Sequence, residues 1–205
     1  TKASKTGLKQ NMGDGPFKPV PIGRPQLTSG SVEWGDYNND GFVDILLSGE
    51  SDRKIITKLY QNVAGDTFTR IDTGIEGVAS GVVKGGDYDA DGELDILLTG
   101  YNQAYEYSTS IYRNDGNHQF TKKNCKLQNI VNGDAAWGDY DNDGDLDIAM
   151  SGYNGSQLFS LLYKNQLSEK RKRPLPPVTL PVKDPKADEV IMLQWQNNGF
   201  GMTCN

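Results

Sequence analysis

Histidine is almost missing from this 205-residue chain, which has only His118, and cysteine is nearly so, with Cys125 and Cys204. One histidine leaves no material for a Ser-His-Asp or Cys-His nucleophile. His118 stands in the turn-like run Asn114-Asp115-Gly116-Asn117-His118, so we expect an exposed turn residue. Two cysteines are too few for a disulfide framework and lack zinc-site spacing. They are paired with each other, free, or bonded to segments outside this chain. No run of 18 apolar residues occurs, so no membrane-spanning helix is expected. Long stretches of helical period are also absent. Basic residues number 21 against 27 acids, a net charge of −6, and Lys170–Arg173 is the sole basic cluster. That balance argues against nucleic acid as a partner. An initiating methionine and a signal-peptide apolar region are missing too, and we expect a mature or excised piece of a protein.

What the chain does have is one acidic nonapeptide three times: DYNNDGFVD at Asp36–Asp44, DYDADGELD at Asp87–Asp95 and DYDNDGDLD at Asp139–Asp147. Oxygen-bearing side chains fall at positions 1, 3, 5 and 9, which are Asp36, Asn38, Asp40 and Asp44, then Asp87, Asp89, Asp91 and Asp95, then Asp139, Asp141, Asp143 and Asp147. Alternate residues of a tight loop point inward, and Gly41, Gly92 and Gly144 at position 6 permit the sharp turn. Such a loop suits calcium, which takes six to eight hard oxygens in flexible geometry, better than octahedral magnesium. An EF-hand needs an acid at position 12, where Leu47, Leu98 and Met150 stand, and flanking helices, which the pattern lacks. Eleven of the 27 acids lie at these positions, and three calcium ions would bring the formal charge to zero. Asn38 replaces an acid in loop one, so we expect that loop to hold calcium least tightly. Weak loops of this kind need the calcium levels found outside cells.

The repeat extends beyond the loops. First acids are spaced by 51 and 52 residues, Gly30, Gly81 and Gly133 stand six positions ahead of them, and Tyr60-Gln61-Asn62, Tyr112-Arg113-Asn114 and Tyr163-Lys164-Asn165 follow. Phe17, Phe68 and Phe120 each precede a loop by 19 residues. In the first full repeat four strands are expected, at Val32–Gly35, Val43–Ser48, Ile56–Gln61 and Thr67–Ile71, with the second apolar on both faces. Four antiparallel strands in about 50 residues describe a β-propeller blade. The expected division is a propeller region over 1–165, with a partial blade at 1–29 and repeats near 30–72, 80–121 and 132–165. A proline-rich linker follows at 166–187, and 188–205 reads as the start of a fibronectin III-like β domain. The terminal part-blades overlap rather than complement each other. A larger propeller therefore fits better than a closed four-bladed ring, and an open stack would expose an apolar blade face.

The tandem pattern of acidic loop, apolar strand, Tyr-x-Asn hairpin and Phe resembles the FG-GAP / VCBS-type repeat family, the blades of integrin α-like propellers. The resemblance covers about residues 7–165. It implies an all-β, seven-bladed propeller, secreted or at the cell surface, with three calcium ions held between strands one and two. By position it adds the carbonyls of Phe42, Glu93 and Asp145 to the side-chain ligands above. The function expected is a non-catalytic adhesion or protein-interaction module. The alternatives are a propeller lectin that binds glycans and an accessory module of a secreted hydrolase. Acid pairs suited to glycoside hydrolysis exist by count, but the clustered acids belong to the loops, so no catalysis is expected. Further blades, from the same protein or another chain, are the expected neighbours. Trp34, Trp137, Tyr37, Tyr88 and Tyr140, at repeat-locked positions, are expected to pack between blades. Tyr101, Asn102, Tyr153 and Asn154 share one rim and are the candidates for contacting a ligand; Asn154-Gly155-Ser156 also has the form of a glycosylation acceptor.

Overall fold

Strand-forming segments account for all the regular structure among the described residues. The computed structural model describes residues 7–166 except 14, 21, 23–25 and 66, and every regular element among them is a β-strand. Strands β1 (Leu8–Gln10) and β2 (Lys18–Val20) pair antiparallel. Strands β3 (Thr28–Gly35), β4 (Asp44–Ser51), β5 (Lys54–Val63) and β6 (Thr67–Ile71) form a four-stranded antiparallel meander. The same order recurs in β7 (Val83–Gly86), β8 (Asp95–Tyr101), β9 (Tyr107–Asn114) and β10 (Phe120–Lys123). A third sheet holds β11 (Val131–Gly138), β12 (Asp147–Tyr153) and β13 (Leu158–Tyr163). These are propeller blades, as the sequence pattern predicts. The segment beyond residue 166, including the expected fibronectin III-like start, lies outside the described residues.

Strand ends depart from expectation for local reasons. Asp52 and Arg53 both adopt positive φ (49° and 64°), the backbone of a tight two-residue hairpin, so β4 and β5 pair up to Ser51↔Lys54. The first strand starts at Thr28 rather than Val32 because pairing resumes beyond an irregularity between Thr28 and Ser31. The third blade has the same irregularity between Val131 and Asp134. There the backbones touch: a Cβ on Gly133 would lie 1.9 Å from the Ser151 carbonyl oxygen, and one on Gly81 would lie 2.1 Å from that of Thr99. The glycine six residues ahead of each loop is therefore a close-approach position.

Packing follows the strand period of two. Leu46 on β4 faces the second blade, in a core with Tyr37, Leu59, Val83, Ile96 and Leu98. Its neighbours Ile45 and Leu47 turn the other way, toward Leu8 of the N-terminal hairpin. On β8, Ile96 and Leu98 face the first blade, while Leu97 faces the third and packs with Ile130, Ile148 and Met150. The second strand of the first two blades is thus apolar on both faces because a neighbour lies against each face, the N-terminal hairpin and the second blade for β4 and the first and third blades for β8. Backbone hydrogen bonds also cross the blades: Ser80 N–H donates to the Ser29 carbonyl (2.9 Å) and Asn132 N–H to the Ser80 carbonyl (2.7 Å).

Candidate metal centres

Each nonapeptide forms the turn between the first and second strands of its blade. In loop two the first acid receives the loop backbone, with Asp91 N–H donating to Asp87 Oδ1 (3.0 Å) and Gly92 N–H to Oδ2 (3.0 Å). Loops one and three repeat both bonds on Asp36 and Asp139. Positive φ at Asn39, Ala90 and Asn142, and at the glycines two residues later, closes the turn in all three copies. The fifth-position acids Asp40, Asp91 and Asp143 accept the N–H of Phe42, Glu93 and Asp145, so those residues, proposed to contribute carbonyls, are oriented by their amides.

The ninth acid has a second duty. Asp95 accepts the Tyr88 N–H at Oδ2 (3.0 Å) and the Asn114 N–H at Oδ1 (2.8 Å). Asp44 and Asp147 do the same with Tyr37 and Asn62, and with Tyr140 and Asn165. One carboxylate therefore ties the loop, strand two and the end of strand three together. The asparagine side chains continue the link: Asn114 Nδ2 donates to the Tyr37 carbonyl (2.9 Å) and Asn165 Nδ2 to that of Tyr88 (2.7 Å), each in the preceding blade. This explains the recurrent Tyr-x-Asn.

Asp87, Asp89 and Asp95 each place an oxygen within 4.8 Å of the others, and Asp139, Asp141 and Asp147 do likewise. Asp91 and Asp143 are not part of those groups, and loop one forms no such group, because its third position is Asn38, whose amide bonds Asp40 (2.8 Å). Asp95 and Asp147 are fully buried. Burial, reinforced by Asp89 and Asp91 and opposed by the Asn114 and Tyr88 amides, pushes the Asp95 carboxyl up to about 8. Asp44 and Asp147 are also raised, chiefly by burial. Buried acids that resist ionisation next to other acids fit a divalent cation, whose charge favours the ionised form. The donor set, hard carboxylate oxygens, is of the type calcium takes.

Two residues at loop three, one within it and one after the third strand, carry more than the pattern alone assigns. The Asp145 side chain is buried (2% exposed) beside Asp143, although only its carbonyl was singled out. Lys164 Nζ contacts Asp141 and lies 3.2 Å from Asp143. Its signal was the middle position of Tyr-x-Asn, which reads Gln61, Arg113 and Lys164.

The rim candidates serve local structure. Asn102 Oδ1 accepts the amides of Ala104 (2.9 Å) and Glu106 (3.1 Å), and Asn154 Oδ1 accepts those of Ser156 and Gln157. Tyr101 stacks on Tyr105 (5.6 Å) and Tyr153 meets Tyr107 edge-on. Tyr37 and Tyr88 are buried between blades and Trp137 stacks on Tyr88 (6.2 Å), whereas Trp34 and Tyr140 are half exposed. His118 is not a fully exposed turn residue: it is half-buried at φ 61° in the β9–β10 hairpin. Cys125 is disulfide-bonded, which excludes the free-thiol alternative.

Residues 87–150 match the family model described as the FG-GAP-like repeat. No curated protein and no solved structure matches the chain.

Proposed function

We propose that this chain, whose residues 87–150 are an FG-GAP-like repeat, is a calcium-stabilised section of a larger β-propeller. It works as a non-catalytic adhesion or protein-interaction module outside the cell or at its surface. The carrying observation is the convergence of the first, third and ninth acids of loops two and three at one fixed corner of two successive blades. Asp87, Asp89 and Asp95 would hold one ion and Asp139, Asp141 and Asp147 another; Asp36, Asn38 and Asp44 offer a third, less charged place. A bound calcium supplies the positive charge that lets these acids stay ionised together. The chain's own residues do the rest: the ninth acid, at the start of strand two, binds the loop and the end of strand three through two amides, and the first acid shapes the turn.

Four further observations support the wider reading. Leu46 and Leu97 are fully buried by the blade that follows, but at the matching place in the third blade Ala149 is exposed. Tyr140 is 48% exposed where Tyr37 and Tyr88 are 2% and 5%. Such a face suits a further blade, from the same protein or another chain. The disulfide at Cys125 accords with an oxidising compartment. The clustered acids are engaged in loop and strand hydrogen bonds, which accords with a structural rather than a catalytic role.

Thermal unfolding in calcium and in excess EGTA tests the metal reading. We expect a melting temperature lower in EGTA by about 10 °C or more, because two crowded carboxylate groups lose their counter-charge. Superimposable curves would overturn structural calcium. A glycan-binding role is favoured by one observation, the Tyr101–Tyr105 stack with Tyr105 69% exposed, since flat aromatic faces suit sugar rings. A glycan array separates it from protein binding.

A further inference from the structure

The first two blades end in a fourth strand, whereas the third blade has three strands among the described residues. The outer strands of the first two blades have the make-up of a sheet edge. β6 carries Arg70, and β10 carries Lys122 and Lys123, charges of the kind that keep an open edge from pairing. β13 carries no charge and is apolar or aromatic at every position but Ser160. Among the described residues it pairs only with β12. Its outer row of backbone donors and acceptors has room for one more strand. A second observation is covalent. Cys125 is disulfide-bonded, and the chain contains one other cysteine, Cys204. Within one chain the bond therefore ends at Cys204. Cys125 follows β10 and packs against the core between the second and third blades, the core that also takes Leu161 and Tyr163 of β13. Three residues on, Gln128 N–H donates to the Tyr163 hydroxyl (2.9 Å), so this connection lies against β13.

We infer that residues 200–204 (Phe-Gly-Met-Thr-Cys), which lie outside the described residues, are the fourth strand of the third blade, paired on β13 and latched by a Cys125–Cys204 disulfide. The register follows from the other blades. Phe68 pairs with Asn62 and Phe120 with Asn114, each the asparagine of Tyr-x-Asn. Six residues after Asn165 the chain has Arg171 instead of Phe, but Phe200 follows the turn pair Asn198-Gly199. With Phe200 opposite Asn165, Thr203 falls opposite Leu162 and Cys204 opposite Leu161. Phe68 packs toward the N-terminal hairpin and Phe120 toward the first blade, so this position faces the preceding unit. Side chains alternate along a strand, so Phe200, Met202 and Cys204 all face the second blade. Cys125 lies on that side. Register and covalent bond thus agree, although each comes from a different observation. In this arrangement residues 166–199 leave and re-enter the blade at one edge. The proline-rich stretch is then a closed excursion, and the end of the chain completes a blade instead of opening a fibronectin III-like domain. The inference rests on the blade architecture and not on the cation reading of the loops.

Peptide mapping of the non-reduced chain reads the latch, and hydrogen exchange followed by mass spectrometry reads the strand. We expect one cross-linked peptide pair containing Cys125 and Cys204, with slow exchange over residues 200–204 and over β13. Replacing both cysteines, Cys125→Ser with Cys204→Ser, should speed exchange over 200–204 by about tenfold or more, because the strand then returns from an open chain end rather than a closed loop. Exchange in β8, in the middle of the second blade, should not change, which separates loss of the latch from misfolding. Phe200→Asp tests the pairing without touching the cysteines: the cross-linked pair should still be recovered, and exchange over 200–204 should rise by a similar factor. Cys125 recovered on a cysteine of another chain or on a small thiol would overturn the inference. So would a Cys125–Cys204 cross-link with exchange over 200–204 as fast as in the unfolded chain, since the end would be tied but unpaired. Protection over residues 189–195 in place of 200–204 would overturn it as well. None of these results bears on melting in EGTA, so this inference and the calcium reading fail separately.

Discussion

Asp95 concentrates what single residues do here. Its carboxyl is fully buried, accepts two backbone amides and neighbours two other acids, and its pKa is pushed from the ordinary 3.8 to about 8. The unfolded chain releases this proton near pH 4, while the calcium-free folded chain keeps it until near pH 8. Between those values the folded state binds more protons, so stability falls as pH rises. Asp44 and Asp147 are raised as well and act in the same direction. The acids with lowered values, such as Asp40 and Asp115, act only in more acid solution. We therefore expect the melting temperature in EGTA to drop from pH 5 to pH 8. In saturating calcium the slope should flatten or reverse, because the ion binds the ionised form. Equal slopes with and without calcium would show that the ninth acids do not face the ion. Of these residues, Asp36, Asp87 and Asp139 and the glycines of position 6 were legible from the nonapeptide alone. The double use of Asp95 was not, because it joins Tyr88 of its own loop to Asn114 at the end of the third strand.

At the scale of the element, the blade explains why the repeat has the residues it has. The apolar run after loops one and two becomes a strand covered on both faces, and the fourth strand of the first blade spans Thr67–Ile71, where the pattern places it. The glycine ahead of each loop needs the backbone contact to be understood. Gly133→Ala would drive a Cβ into the Ser151 carbonyl and Gly152, so it should destabilise the chain by about 2–4 kcal/mol in urea unfolding. Gly138→Ala, whose Cβ meets nothing within 4 Å, should cost at most about 1 kcal/mol. Equal effects at the two positions would disprove the close-approach account. Strand ends were less legible, because they depend on hairpin geometry, such as the Asp52-Arg53 turn, and on the irregularity near Gly30 rather than on hydrophobic pattern.

For the molecule as a whole, the open face of the third blade is the dominant feature. Ala136 and Ala149 are exposed on it, and Tyr140 lies half exposed at its edge. A face built to be covered associates with whatever apolar surface is at hand, and head-to-tail contact between chains offers the half-open N-terminal side, where Trp34 and Phe68 border a cavity. We expect this chain by itself to self-associate with rising concentration in sedimentation velocity, and Ala149→Glu to shift it toward monomer without lowering its melting temperature. A monomer at every concentration would count against an uncovered blade face. The sequence by itself determined the blade, its 51- to 52-residue period and the acids offered to a cation, because strand period, turn glycines and ligand chemistry are local properties. Only the tertiary structure decided which acids converge, that Lys164 contacts the acids of its loop, and which face stays open. Those outcomes depend on distances between residues far apart in the chain, which no local pattern encodes.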